Sequence, residues 1–409
     1  MSANSSQVLA IIGQGYVGLP LAMAAVDAGW RVIGVDNLEA KVSQINAGSS
    51  PVEDISDTQL QIAVASGAYK ATTDFSLINQ ASVVTICVPT PLDDKREPDL
   101  ALLRSAAKGL APFLANETLV VSESTSFPGT LRDIIIPIID SLKPKDTETI
   151  YFASAPERVD PGNEKYNHKN TPRLVSGLTP EATKKAAEFY RSFTETVIEV
   201  SSPEVAETAK LLENTFRQVN IALVNEVAII SRALGIDVRE VIEAANSKPY
   251  GFMKFTPSAG VGGHCIPVDP SYLSYVAEQA GVSATFIQRA NEVNLEMPRY
   301  IAKRVADDNG GSLKGKKVLV VGVAYKPNVA DTRETPAEHL IEALNEMGAH
   351  VTWSDSVVGS WQGKESAPLT GADVAIVVTK HDEVSEAEIM SAAPYVFDTT
   401  GKVKRAVQL

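Results

Sequence analysis

Val8-Leu9-Ala10-Ile11-Ile12-Gly13-Gln14-Gly15-Tyr16-Val17-Gly18, with Asp36 eighteen residues beyond Gly18, decides how this chain is read. Five apolar residues make a strand, and three spaced glycines then open a helical pattern from Leu19 to Ala28. A lone GxGxxG is a weak signal, but here strand, helix and acid all stand where a dinucleotide site needs them. Gly13 makes the turn, Gly15 lets the backbone approach a pyrophosphate, and Gly18 lets helix pack on strand. Asp36, at the tip of the next strand (Val32 to Val35), would bond the adenosine ribose hydroxyls and repel a 2′-phosphate. NAD is therefore expected over NADP, with Lys41 a weak counter-argument. The competing reading is a glycine turn that merely packs.

Outward from this stretch, short β-branched runs alternate with helical patterns. Strands are predicted at Ser82 to Val88, Thr118 to Val121, Ile150 to Ala153 and Val197 to Val200. Helical patterns at Leu100 to Leu114 and Pro180 to Phe193 lie between them, so residues 1–202 read as a doubly wound α/β domain on a parallel sheet. Ser201-Ser202-Pro203 then caps a helix running to about Leu234. Further helices are expected at Val238 to Ala245, Tyr272 to Ala280 and Ala284 to Ala306, giving a helical domain over 203–310. A Gly/Pro-rich stretch from Ser247 to Pro270 interrupts them, and a loop of that length needs a reason. Over 311–409 the alternation resumes, with Val318 to Val321, Val351 to Trp353 and Val374 to Val378 as strands and Ala337 to Met347 as a helix. Gly348-Ala349-His350-Val351 leading to Asp355 echoes Gly29-Trp30-Arg31-Val32 leading to Asp36, so two Rossmann-like units flank a helical middle.

Fifty acidic against 37 basic residues give a net charge of −13 over 409 residues, which disfavours a nonspecific grip on nucleic acid or an anionic membrane. No stretch approaches the roughly eighteen apolar residues of a membrane span, and the polar start from Met1 to Gln7 has no signal-peptide core. Two cysteines build no disulfide framework and no zinc-site spacing occurs, so a reducing cytoplasm and no metal are expected.

Thr90 and Thr125 follow predicted strands, where ligands lie in open α/β sheets, although Ser, Thr, Pro and Gly also suit plain turns. Lys210, Asn214 and Arg217 share one face of the long helix. With Ile221, Leu223 and Val224 marking that helix as largely buried, such a stripe needs polar company, which a substrate cleft would supply. Cys87 sits in an apolar strand and reads as core. Cys265 stands among Gly260, Gly262 and Gly263 in the interrupting loop and is either a nucleophile or a structural thiol. His264 is its neighbour along the chain, and consecutive side chains diverge, so it is not assumed to be the base.

Seven motifs in order carry a family resemblance: Gly13 to Gly18; Val88-Pro89-Thr90-Pro91; Ser124-Thr125 with Pro128-Gly129-Thr130; Pro156-Glu157-Arg158; Lys210 to Arg217; Gly262-Gly263-His264-Cys265 with Asp269; and Tyr325-Lys326-Pro327 with Asp331 and Arg333. Together they resemble the UDP-glucose/GDP-mannose dehydrogenase family nearly end to end. Ala155 and Thr335 stand where serine is common. The resemblance implies oxidation of a nucleotide-sugar C6 alcohol to a carboxylate with two NAD in succession. Cys265 would form a thiohemiacetal and then a thioester, which water hydrolyses. It implies that Lys210 with Asp269 handles the proton and the developing oxyanion, that Asn214 holds that oxyanion, and that Glu157 assists water. Tyr16, Val17, Asp36, Lys41, Thr90 and Thr125 would contact NAD, and Arg158, Val159, Arg217, Tyr250, Gly262, Tyr325 and Lys326 the sugar or UDP. Arg333 resembles an arginine that reaches into a neighbouring subunit's site, so a dimer through the helical middle is implied. After Gly322 the full glycine fingerprint is missing, as suits a UDP site. Gly-Gly-His-Cys-Ile-Pro-Val-Asp-Pro resembles members acting on UDP-N-acetylhexosamines, and Glu157-Arg158-Val159-Asp160-Pro161-Gly162-Asn163 the UDP-N-acetylglucosamine branch, for surface polysaccharide synthesis. UDP-N-acetylmannosamine and UDP-glucose are the alternatives. A single-step hydroxyacid dehydrogenase would need neither Cys265 nor the last α/β unit, and a non-catalytic NAD sensor would have no use for Lys210, Cys265 and Asp269.

Overall fold

The computed structural model describes residues 7–160, 163 and 165–409, so Met1 to Ser6, Pro161, Gly162 and Glu164 lie outside the described residues. The chain divides into an N-terminal unit ending at Leu212 and a C-terminal unit from Glu213 to Leu409. The division falls within the long helix Pro203–Leu234.

The N-terminal unit is built on eight strands: β1 (Val8–Ile12), β2 (Arg31–Val35), β3 (Tyr69–Thr72), β4 (Val83–Ile86), β5 (Leu119–Ser122), β6 (Tyr151–Ser154), β7 (Arg173–Gly177) and β8 (Val197–Glu199). Their order is β3-β2-β1-β4-β5-β6-β7-β8. All five residues of β1 are buried, as expected of a central strand covered on both faces, and each fully buried Leu or Ile contributes roughly 1.5 to 3 kcal/mol. β1 pairs in parallel with β2 on one side and β4 on the other, so strand order reverses at β1 and a crevice opens beyond the carboxyl ends. The expectation of an all-parallel sheet is corrected at β7, which pairs antiparallel with β6. A parallel partner needs a crossover, usually helical, and the described residues between β6 and β7 contain no helix.

In the C-terminal unit, helices Val238–Asn246, Asp269–Gln279 and Thr285–Asp308 precede a second sheet. Its strands are β9 (Lys317–Val321), β10 (His350–Ser354), β13 (Val374–Val377), β14 (Tyr395–Asp398) and β15 (Val407–Gln408), ordered β10-β9-β13-β14-β15 and all parallel. A hairpin of β11 (Ser360–Trp361) and β12 (Lys364–Glu365) projects after β10. The echo read between the two halves holds atom by atom. Gly13 N donates to Val35 O at 2.7 Å and Gly322 N to Ser354 O at 2.8 Å, both glycines at positive φ (96° and 85°). Among the described residues no helix is long and apolar enough to cross a membrane.

The long helix departs from its reading as largely buried. Phe216, Leu223, Ile230 and Leu234 lie along one side at helical spacing and are 45 to 68% exposed.

Candidate active site

The three glycines of the fingerprint do three different jobs. A Cβ on Gly13 would lie 2.5 Å from the Cys87 carbonyl oxygen, and one on Gly18 would lie 1.8 Å from that of Gly13, so backbone turn and helix packing both require glycine. A Cβ on Gly15 would meet nothing within 4 Å, which leaves its backbone open to a ligand. Asp36, buried at the tip of β2, takes the Gln14 N–H (2.9 Å) and the Leu38 N–H (3.1 Å). Lys41 Nζ pairs with it at 2.9 Å. A dinucleotide fits this cradle: room at Gly15 for phosphate, and an acid beside it with a displaceable partner.

Beneath the glycine turn lies a support that the sequence did not reveal. The buried Gln14 amide donates to the carbonyls of Ile11 (2.9 Å) and Gly13 (3.1 Å), and its oxygen accepts from Tyr69 Oη at 2.6 Å. Burial, with Asp36 nearby, pushes the Tyr69 phenol upward, so it stays a donor. Its only signal in sequence was an aromatic in a short run never read as strand.

At the carboxyl ends of β4 and β5 the two threonines meet: Thr90 Oγ1 donates to Thr125 O at 2.7 Å. Ser124 ties the same loops, accepting from Val88 N at 3.0 Å. Tyr16 and Val17 pack partly buried on the core. Glu157 follows β6 and is nearly enclosed; Oε1 accepts the N–H groups of Arg158 (2.6 Å) and Val159 (2.7 Å), and Oε2 faces Arg173 (2.9 Å) and His168 (3.4 Å). Against its burial, the Arg173 guanidinium first of all, with His168 and the two backbone N–H groups, holds the Glu157 carboxyl at about 2. Arg158 itself donates to Pro172 O at 2.8 Å. Lys210 is buried, and three residues earlier the buried Glu207 accepts from Gly129 N (2.9 Å) and Leu131 N (3.4 Å). Desolvation pushes Glu207 up to about 8.

In the C-terminal unit, Asn214 Nδ2 donates to Asp269 Oδ2 at 2.5 Å, both side chains being buried. Asp269 opens the helix Asp269–Gln279, three residues earlier than its pattern suggests, and its N–H bonds Cys265 O at 2.8 Å. Asp269 favours the positive end of that helix, and one turn of backbone links it to Cys265. The half-buried Cys265 stands four residues ahead of that helix.

The glycines before Cys265 make room for protein as well as ligand. A Cβ on Gly262 would come within 2.9 Å of Tyr325 and of Pro336, and one on Gly263 within 2.8 Å of the Tyr325 ring. Gly263 N donates to Arg333 O and Tyr325 N to Asp331 O, at 3.1 and 3.0 Å. The segment from Tyr325 to Pro336 thus backs the cysteine loop, and Lys326 lies half-buried on it. The Arg333 guanidinium rests on Asp331 (Nε to Oδ1, 2.9 Å), and against burial that arginine holds the Asp331 carboxyl low. Arg217 is exposed, and Tyr250 is 72% exposed with Lys248 Nζ 4.9 Å from its ring centre. The Lys/Asn/Arg stripe is therefore split, two residues buried and one in solvent. The second sheet has its own acid: Asp355 accepts from Val323 N (2.8 Å) and Ala324 N (3.0 Å), and its other oxygen faces His381 Nε2 at 2.9 Å.

Three family models match the chain: the UDP-glucose/GDP-mannose dehydrogenase NAD-binding domain over residues 7–194, the central domain over 204–296 and the UDP-binding domain over 319–405. A UDP-N-acetyl-D-mannosamine dehydrogenase of Methanocaldococcus jannaschii is 36% identical over 92% of this chain and 86% of its own. A UDP-N-acetyl-D-glucosamine 6-dehydrogenase of Pseudomonas aeruginosa is 32% identical over 88% and 84%. Among solved structures, a UDP-D-ManNAc dehydrogenase of Pyrococcus horikoshii superposes with a TM-score of 0.86 at 30% identity, covering 98% of each chain.

Proposed function

The chain belongs to the UDP-glucose/GDP-mannose dehydrogenase family of NAD-dependent oxidoreductases, and from that premise we propose that it oxidises C6 of a UDP-N-acetylhexosamine to the uronic acid. The observation that carries this reading is the buried Asn214–Asp269 pair, one helical turn from Cys265. A single-step alcohol dehydrogenase has no use for a thiol beside such a pair.

NAD, held by Gly13, Gly15, Gly18, Asp36, Thr90 and Thr125, accepts a hydride when bound. In the first step the C6 hydroxyl gives up a proton, taken through Lys210 and Asp269, and Asn214 steadies the oxyanion. The Cys265 sulfur then adds to the aldehyde carbon, and the thiohemiacetal becomes a thioester by giving up a proton and a second hydride, for which a second oxidised NAD would have to replace the first. Water, assisted by Glu157, breaks the C–S bond, releasing the carboxylate and returning the thiol. Arg158, Val159, Arg217, Tyr250, Gly262, Tyr325 and Lys326 are assigned to the sugar and UDP. The exposed apolar side of the long helix supports a homodimer through the helical middle, with Arg333 serving the partner's site.

For the sugar, the run Glu157 to Asn163 supports the gluco epimer. UDP-N-acetylmannosamine is the second reading, favoured by the names of several relatives. The test is NADH formed per sugar consumed with limiting UDP-N-acetylglucosamine, UDP-N-acetylmannosamine and UDP-glucose. Two NADH on an N-acetylhexosamine is the expected result. One NADH, or turnover of UDP-glucose alone, overturns the proposal.

A further inference from the structure

One buried charge cluster of the N-terminal unit joins Glu157 to residues that have no role assigned so far. Arg173, first residue of the antiparallel strand β7, is almost wholly enclosed, with its guanidinium between two carboxylates. Nη2 reaches Glu123 Oε2 at 3.0 Å and Nη1 reaches Glu157 Oε2 at 2.9 Å. The Tyr190 ring lies under the guanidinium at 4.7 Å, and its hydroxyl donates to Glu123 Oε1 at 2.6 Å. Burial pushes the Glu123 carboxyl upward, while Glu157, beside Arg173 and bonded by two backbone N–H groups, is held ionised.

Enclosing two acids and an arginine is a poor way to stabilise a sheet, since well-packed apolar groups of the same volume serve as well or better. What such a cluster provides is fixed geometry, because the planar fork can hold two carboxylates at once and a lysine cannot. The positions of the two acids show what is being fixed. Glu123 immediately precedes Ser124-Thr125 at the carboxyl end of β5, and Glu157 stands at the carboxyl end of β6. Those ends flank the crevice side of the sheet. Glu157 Oε1 accepts two backbone N–H groups while Oε2 is turned toward the Arg173 guanidinium at 2.9 Å, so the carboxylate has one orientation.

We infer that Arg173 is a positioning residue: by gripping Glu123 and Glu157 together it fixes the loops that carry Thr125 and Glu157, and so aims Glu157 for thioester hydrolysis. The inference rests on the role proposed above for Glu157. The test compares Arg173→Lys and Glu157→Gln in single-turnover reactions with UDP-N-acetylglucosamine and NAD, following NADH and the intact mass of the protein. Both variants are expected to form NADH in two steps and then to retain an acyl group on Cys265, its hydrolysis slowed tenfold or more, with KM for NAD within twofold of wild type. If Glu157→Gln accumulates the adduct and Arg173→Lys does not, the inference falls while the role of Glu157 stands. If Glu157→Gln itself releases product at the normal rate, the role of Glu157 falls and takes the inference with it. Equal slowing of both hydride steps and of hydrolysis in Arg173→Lys overturns it too, as the mark of a merely structural residue. Should Arg173→Lys not fold, Arg173→Lys with Glu123→Gln keeps one cation against one anion, and the same outcomes apply.

Discussion

Gly263→Ala tests whether the segment from Tyr325 to Pro336 is the bed on which the cysteine loop lies. Two costs can be worked from the structure. Gly263 sits at φ +84°, where an L side chain costs about 1 to 2 kcal/mol. Its new methyl would also stand 2.8 to 3.3 Å from three atoms of the Tyr325 ring, an overpacking worth about 1 to 3 kcal/mol. The total, about 2 to 5 kcal/mol, corresponds in a body of roughly two hundred residues to a Tm drop of about 4 to 20 °C. Thermal unfolding followed by circular dichroism reads it. Gly281→Ala is the control, since Gly281 has φ +76° but nothing within 4 Å of a Cβ, so it carries the backbone cost alone. In a Tyr325→Ala background the loss at Gly263 should shrink to that of Gly281, a coupling of about 1 to 3 kcal/mol. A Gly263→Ala protein that melts within a degree of wild type, or a loss unchanged when the ring is absent, refutes the packing argument. Turnover should fall as well, because Cys265 is two residues away.

Asp36→Ala should raise KM for NAD tenfold or more and improve use of NADP, because Lys41 loses its partner and can meet a 2′-phosphate; an unchanged KM for NAD sinks the ribose assignment. Cys265→Ser should stall after a trace of NADH, and full two-NADH turnover on the sugar would falsify covalent catalysis. Glu207→Gln addresses stability against pH. Glu207 is raised to about 8 in the fold, so between about pH 4.5 and 8 the native state binds more protons than the unfolded one, and stability falls as pH rises. The slope is at most about 1.4 kcal/mol per pH unit, and the variant should flatten it in urea titrations across that window.

The parts of this molecule that repeat a local pattern were legible in its sequence. The fingerprint from Gly13 to Gly18, the long helix ending at Leu234 and the echo of Asp36 in Asp355 all follow from side-chain period and turn chemistry. β3 and β7 escaped because each is a short run bearing a long cation, Lys70 and Arg173, and periodicity counts a charged residue as solvent-facing. Arg173 breaks that rule through partners 50 and 16 residues away along the chain, Glu123 and Glu157, and nothing local announces them. Gly262 and Gly263 were read as room for a ligand, yet their closest neighbours in the fold are Tyr325 and Pro336, some sixty to seventy-five residues on. The long helix was read as buried because its apolar residues are as frequent as those of a core helix. Frequency does not say which side is covered.

The acids at the second-strand tips of the two sheets differ in how their charge is met. Lys41, 27% exposed on a flexible stem, is a hinged cover that a pair of hydroxyls can displace. His381, 2% exposed, is fixed in place: Asn328 N–H donates to Nδ1 at 2.8 Å, and Nε2 lies 2.9 Å from Asp355. The first socket is a door and the second is bricked up. An engineer wishing to load a second dinucleotide into the C-terminal half would have to begin by excavating His381, since adding glycines after Gly322 would decorate a wall.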